Sequence, residues 1–321
     1  MSRTRLSLLS ASILLAACSG GDDPFGNNDP ITQTFDITST NGLLATKIAW
    51  ESAIASGDLT DLGGSIGLTA AAPGGLSKAS LAQPTGLVMN VMQKVPFGPD
   101  EFDCFPSGTF SISGDVENPL TLTANDTFTV LYTMCDDGTG EIVDGQIDFT
   151  VGDFSGDLQG GVYLLAMDAI VTNLQVITGS DTLTHNGDTA LTLDTTDAPF
   201  IDAGTSGTSM TIDSNASSET IMNFQSSQTV DGAQQNLPYT MSASGTIDTT
   251  QLSGIVRYST PLQFSGEGAD YPSEGVLLVE GANSSARLTA VDNVNVMLEL
   301  DVDGDGVVDQ TIETTWAGLT T

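Results

Sequence analysis

Basic residues are scarce: seven Lys and Arg stand against 41 Asp and Glu in 321 residues, a net charge of -34. Non-specific nucleic-acid binding depends on Lys and Arg displacing counterions, so nucleic acid is excluded as a partner. Anionic headgroups are repelled for the same reason, while divalent cations are attracted. Acidity on this scale is also a general solubility adaptation to salty surroundings, which accounts for many carboxylates without any specific role. Histidine occurs once, at His185, so any Ser-His-Asp triad or histidine metal site must use it. The run Thr184-His185-Asn186-Gly187 reads as a strand edge beside a turn. Neither a Gly-x-Ser-x-Gly elbow nor a glycine loop followed by Lys occurs, which removes the common nucleophile and phosphate cradles. The two tryptophans, Trp50 and Trp316, lie near the chain's ends, and aromatics make up only 6%. That is too few to line a sugar groove between paired acids. Together these absences predict a protein that is not an enzyme.

What is present is apolar residue in the right rhythm. Hydrophobic residues reach 39%, enough to build a core rather than a disordered chain, and Ser, Thr, Asp, Asn and Gly dominate the rest, as in strands and turns. From Ser107 onward the apolar period is close to two, as in Thr109–Ile112, Thr127–Tyr132, Gln146–Val151, Thr189–Leu193, Thr208–Ile212 and Thr220–Gln228. The pattern continues through Tyr239–Ala243, Gly254–Ser259, Gly275–Glu280, Ala286–Ala290 and Val294–Leu300. Breaks of Gly, Asp and Asn between them leave no room for βαβ crossovers. The fold class expected is mainly β, a single antiparallel domain built as a meander, a sandwich or an open half-barrel. Val162–Ile177 is apolar enough for one long bent strand or two shorter ones. Ser107-Gly108, Asp144-Gly145, Asn186-Gly187 and Ser244-Gly245 each open an alternating run, read here as shared turn chemistry rather than an ancestral repeat. One or two short N-terminal helices complete the expectation. The first runs from Asn41 to Ser56, with Thr40 or Asn41 as N-cap and Gly57 closing it. The second runs from Leu87 to Val95, after a loop at 70–75. Met89 and Met92 in the second read as core filler.

At the N-terminus Arg3 and Arg5 precede twelve apolar and small residues, Leu6–Ala17, which end in Leu15-Ala16-Ala17-Cys18. Twelve residues fall short of the ~20 that span a bilayer. This segment resembles the signal peptide and lipobox of bacterial lipoproteins. The resemblance implies cleavage before Cys18, diacylglycerol on its sulfur and an acyl chain such as palmitate on its new amino group, and outer-membrane localisation, since Ser19 follows where an aspartate often signals inner-membrane retention. The chain then divides into a signal peptide (1–17), a lipidated Gly/Pro/Asp/Asn tether (18–35) and a β-rich domain (36–321). Cleavage leaves five basic residues against 41 acidic ones, a net charge near -36. With Cys18 lipidated, Cys104 and Cys135 remain as an even pair in an oxidising compartment, which reads as a disulfide contributing about 2–4 kcal/mol.

The sharpest local motif is Asp301-Val302-Asp303-Gly304-Asp305-Gly306-Val307-Val308-Asp309. Alternate aspartates project oxygens inward as the chain curls, glycine permits the turn, and the carbonyl of Val307 adds a ligand, a set that suits calcium better than magnesium. It resembles the calcium loops of EF-hands, dockerins and thrombospondin-type repeats, with Asp301, Asp303, Asp305, Val307 and Asp309 as ligands. Position 12 is Ile312 instead of a bidentate Glu, Glu313 sits one residue late, and the flanks alternate as strands. A bare β-hairpin between Val294–Leu300 and Val307–Trp316 is the competing reading, and the two are compatible. Trp316 shares strand parity with Ile312 and Val308, so core burial is expected.

Two functions fit. One is a non-catalytic envelope lipoprotein, a structural or binding module for an unknown envelope protein, anchored to the membrane by its lipid and stiffened by Ca²⁺. The other is a carrier of an apolar ligand such as an acyl chain in a half-barrel of the LolA/LolB type, lined by 43–55 and 87–95.

Overall fold

Alternation puts every second side chain of a run on one face, and fourteen such runs pair in strict chain order. The structure, a computed structural model, describes residues 33–64, 97–117, 122–136, 138, 140–157, 160–234, 236–268 and 270–320. Cys18, the 70–75 loop and the 87–95 helix expected from sequence lie outside these residues. The strands are β1 Phe97–Asp103, β2 Ser107–Asp115, β3 Thr127–Asp136, β4 Glu141–Asp157, β5 Val162–Thr178, β6 Asp181–Asp194 and β7 Phe200–Asp213. They continue as β8 Ser218–Asp231, β9 Pro238–Thr249, β10 Gly254–Glu267, β11 Glu274–Glu280, β12 Ser285–Ala290, β13 Asn295–Asp301 and β14 Gln310–Thr315. All fourteen form one antiparallel open sheet whose spatial order is its sequence order, with β1 and β14 as edges. The strand order is that of a meander, within one open sheet. The described residues all belong to one compact unit, Thr32–Thr321. Val162–Thr178 is a single 17-residue strand.

Register follows the buried face. Gly187, Met210, Ile221, Ile247 and Val256 stand opposite one another across β6 to β10, and the four with side chains are buried. Leu277, Leu288, Leu298 and Ile312 do the same across β11 to β14. The opposite face carries hydroxyl and carboxylate ladders such as Thr129 to Asp148 (2.6 Å) and Thr208 to Asp188 (3.0 Å). Burying one Ile contributes about 2 kcal/mol, against a few tenths to 1 kcal/mol for a polar cross-strand pair. The inner rows therefore decide the register and the outer ladders follow it.

Helix α1 spans Gly42–Gly64 and packs on β6 to β12. Its buried positions are mostly small, Ala45, Ala49, Ser52, Ala53 and Ser56, with Ile48, Trp50 and Ile54 as the large exceptions, so its axis lies close to the sheet. Gly42 illustrates the closeness, since an added Cβ would fall 2.7 Å from Leu300 Cδ1. Two details depart from the sequence expectation. The helix runs through Gly57, and Asn41 turns its Oδ1 back to the N–H of Thr38 (2.7 Å) rather than forward into the helix. Trp316 is buried as expected, though not by strand parity. It opens a one-turn helix, α2 (Trp316–Thr320), while Val308 lies outside any strand and is exposed. Trp316 stacks on Tyr271, tilts against Trp50, and donates Nε1–H to Pro272 O (3.1 Å) and Asp292 O (3.2 Å).

The repeated Xaa-Gly pairs prove to be mid-strand bulges rather than turns. Ladder register shifts at successive pairings from β2–β3 to β6–β7, near Gly108, Met134, Gly145, Asn173 and Gly187. Met134 and Asn173 take left-handed φ values of 47° and 48°. Their N–H groups are capped by Asp144 Oδ1 (3.0 Å) and Asn186 Oδ1 (2.7 Å), the residues that precede the glycines of the next strand. Gly145, at φ 124°, lies so close that a Cβ would overlap Asn173 O. Each unit thus couples an acceptor side chain, a glycine and a left-handed neighbour, and a line of bulges bends the sheet. Ser244-Gly245 likewise stands opposite a register shift, between Met222 and Gln225, where Asn223 takes a φ of 48°, and its glycine also makes room for the ring of Tyr258.

Gly145→Ala should cost about 1–3 kcal/mol, the range for backbone strain at one position. Urea unfolding of the variant beside wild type measures it, and coincident midpoints would contradict the bulge account.

Candidate metal loop and the polar seam beneath the helix

Residues 302–309 join β13 to β14, and strand pairing restarts where the N–H of Asp309 meets Leu300 O (2.8 Å). Within the loop, Asp301 accepts from the N–H groups of Gly304 (2.7 Å) and Gly306 (2.9 Å), and Asp309 Oδ2 from that of Val302 (2.8 Å). Gly304 and Gly306 take φ values of 71° and 84°, the left-handed region that lets the chain curl back on itself. The result brings carboxylate oxygens of Asp301, Asp303 and Asp309 within 4.8 Å of one another. Two oxygens that share one calcium at 2.3–2.6 Å are at most about 5 Å apart, so these three fit. Asp305 is not in that group; its Oδ1 accepts from the N–H of Val307 (2.8 Å). Ile312, at position 12, belongs to β14 and pairs with Leu298 on the core side, while Glu313 pairs with Met297. A strand-flanked loop therefore has no place for the helical loop's bidentate Glu.

Cys104, just past β1, and Cys135, near the end of β3, are disulfide-bonded with Cα atoms 5.4 Å apart. His185 is not at a strand edge. It lies inside β6 between Leu174 and Ile212, buried, and its Nε2 has no hydrogen-bond partner among the described residues. Burial lowers its pKa, which keeps it neutral. Asn186-Gly187 has the composition of a turn, but here the pair forms the bulge described above.

A group of residues that the sequence did not single out lies between α1 and the sheet. Ser52 Oγ is 2.8 Å from Ile48 O and also meets Glu219 Oε1 on β8, while Thr205 on β7 donates to Ser56 O. The Tyr258 hydroxyl sits beside Ser56. One hydroxyl proton cannot serve both acceptors of Ser52. A protonated Glu219 resolves this by donating to Ser52 Oγ while Ser52 donates to Ile48 O. Burial raises the pKa of Glu219 and the nearby Glu51 charge adds to it, against the lowering effect of Ser52. The only sequence signal was two serines four residues apart within an apolar helix. No known protein family, curated protein or solved structure matches the chain.

The folded state raises the pKa of Glu219, so the stabilisation belongs to its protonated form. It is fully present below the ordinary carboxylate range and is lost as pH rises through the folded value. Glu219→Gln supplies an amide N–H donor to Ser52 Oγ without the charge, and should melt above wild type at pH 8 by a margin that shrinks toward pH 4. A margin that stays constant across that range would refute the assignment.

Proposed function

We propose that the protein is a non-catalytic lipoprotein of the cell envelope, a β-rich binding or structural module tethered to the outer membrane through an acylated Cys18. The observation that carries this reading is the basic, apolar and small-residue sequence ending in Leu15-Ala16-Ala17-Cys18, the physical pattern of an export signal with a lipid-acceptor thiol. Several buried acyl chains, at roughly 0.8 kcal/mol per CH₂, make a durable anchor. The disulfide Cys104–Cys135 agrees with an oxidising compartment. The acyl-carrier alternative needs 43–55 to line a hollow; the side chains of Ala45, Ile48, Ala49 and Ala53 are instead buried where α1 packs along β6 to β12, which favours the module over the carrier.

The C-terminal hairpin is proposed to be stiffened by Ca²⁺ held by Asp301, Asp303 and Asp309, with the Val307 carbonyl and Asp305 completing the shell by a small rotation of the loop. Lacking a bidentate Glu, the site should bind at about 10⁻⁴–10⁻³ M, as extracellular modules do. Its task is stability, since bound ligand favours the folded state by mass action.

Two experiments test the parts separately. Cys18→Ser should abolish radiolabelled palmitate incorporation and release the protein from the membrane fraction; undiminished labelling would overturn the lipoprotein reading. Calcium at 5 mM should raise the melting temperature of wild type but not of Asp301→Asn, and equal responses would remove the metal from the account.

A further inference from the structure

A meander sends its turns alternately to two rims. One rim carries the turns that join β2 to β3, β4 to β5, β6 to β7, β8 to β9, β10 to β11 and β12 to β13. Large apolar side chains stand in solvent at four of these six turns: Val162, Phe200, Leu237, and the pair Val291 and Val294, each 41–58% exposed. A fifth turn carries Tyr271, packed face to face on Trp316. On the other rim, the turns at 179–180, 214–217, 250–253 and 281–284 expose no large hydrophobic residue among those described; its exposed apolar residues, Phe105, Val307 and Val308, stand only at the first and last turns, β1–β2 and β13–β14. The described chain also begins on that second rim, where Thr34 bonds to Ile255 O and Phe35 O to Ala282.

Turns favour Gly, Asn, Asp and Ser for conformational reasons, so apolar tips at the successive turns that carry Val162, Phe200 and Leu237 are not a requirement of the fold. Leu237 makes the point most directly. Its φ is 45°, a region that Asn or Gly occupies at little cost and a branched apolar residue does not, and it lies 43% exposed, so the strain is not offset by burial. The same turns are acidic, with Asp157, Asp194, Asp197, Asp231, Asp270 and Asp292 on or beside them. Among the described residues no Lys or Arg sits on this rim. Lys47 faces Glu51 on α1, and Arg257 and Arg287 lie within strands, in register with Glu280 and Glu299.

Successive turns on one rim are two strands apart, about 9.5 Å at roughly 4.8 Å per strand. A helix with an apolar residue every seven positions advances about 10.5 Å per repeat, close enough to match two or three neighbouring turns. An extended partner cannot do so, because it returns to the same face every ~6.8 Å. Anionic lipid is disfavoured by the carboxylates. We propose that this rim is a docking surface for a cationic amphipathic helix of a partner protein, whose apolar stripe seats on Val162, Phe200 and Leu237 while its Lys or Arg residues face the aspartates between them.

The test uses the mature chain and a fluorescent 21-residue Leu/Lys peptide with its leucines on one helical face, compared with a peptide of the same composition in scrambled order. Anisotropy at about 0.15 M salt, where the Debye length is near 8 Å, limits non-specific attraction. The amphipathic peptide should bind at least tenfold tighter than the scrambled one. That advantage should vanish in Val162→Ser/Phe200→Ser/Leu237→Asn and persist in Phe105→Ser/Val308→Ser on the other rim. Equal binding of the two peptides, or equal losses in the two variants, would overturn the proposal. So would triple-variant-sensitive sedimentation with phosphatidylcholine vesicles, which would assign the rim to lipid. Leu237→Asn alone should raise the melting temperature while weakening peptide binding; if it weakens binding by lowering stability, Leu237 is structural and the anchor assignment fails.

Discussion

One apolar face, continuous across fourteen strands, has to be removed from water. An open sheet has two edges and does not bury its apolar face by closure, so something must cover that face. Helix α1 does this along β6 to β12, and its small buried residues set how closely it approaches. That closeness in turn creates the seam in which Ser52 meets Glu219 and Thr205 donates to Ser56 O, beside the buried Tyr258 hydroxyl. The polar seam is a consequence of the packing and not an independent device.

Bending the sheet falls to the bulge line through Gly108, Gly145 and Gly187. Inner-row burial fixes register strongly, and a shift of one residue would send a whole row to the wrong face. Bulges avoid that cost because each inserts its extra residue without slipping the rows on either side. The aspartate and asparagine that cap Met134 and Asn173 are therefore as much a part of the curvature as the glycines.

The strands were legible because period two survives wherever one face is wet and the other dry, as in Thr127–Tyr132 and Val294–Leu300. Gly145 and Gly187 were misread because Asp-Gly and Asn-Gly meet the backbone requirements of a turn and of a bulge alike; only the partner strand distinguishes them. Helix α1 outran its expected end because a glycine weakens a helix by roughly 1 kcal/mol without terminating it. The metal loop was legible from the spacing of its aspartates, whereas the departure of Asp305 from the group depends on which loop N–H each carboxylate meets. Glu219 and the apolar rim were not legible at all. Both depend on residues brought together across strands, and no local pattern records strand order.

Pairing only between sequence neighbours has a kinetic meaning. A chain delivered from its amino end can zip each new strand onto the last, and the cystine between β1 and β3 closes within the earliest three to emerge. Helix α1 is the exception: made first, it must wait for β6 to β12, more than a hundred residues downstream, before it has anything to rest against. Local ladders form quickly and distant contacts slowly, so the final consolidation of this molecule belongs to its oldest segment.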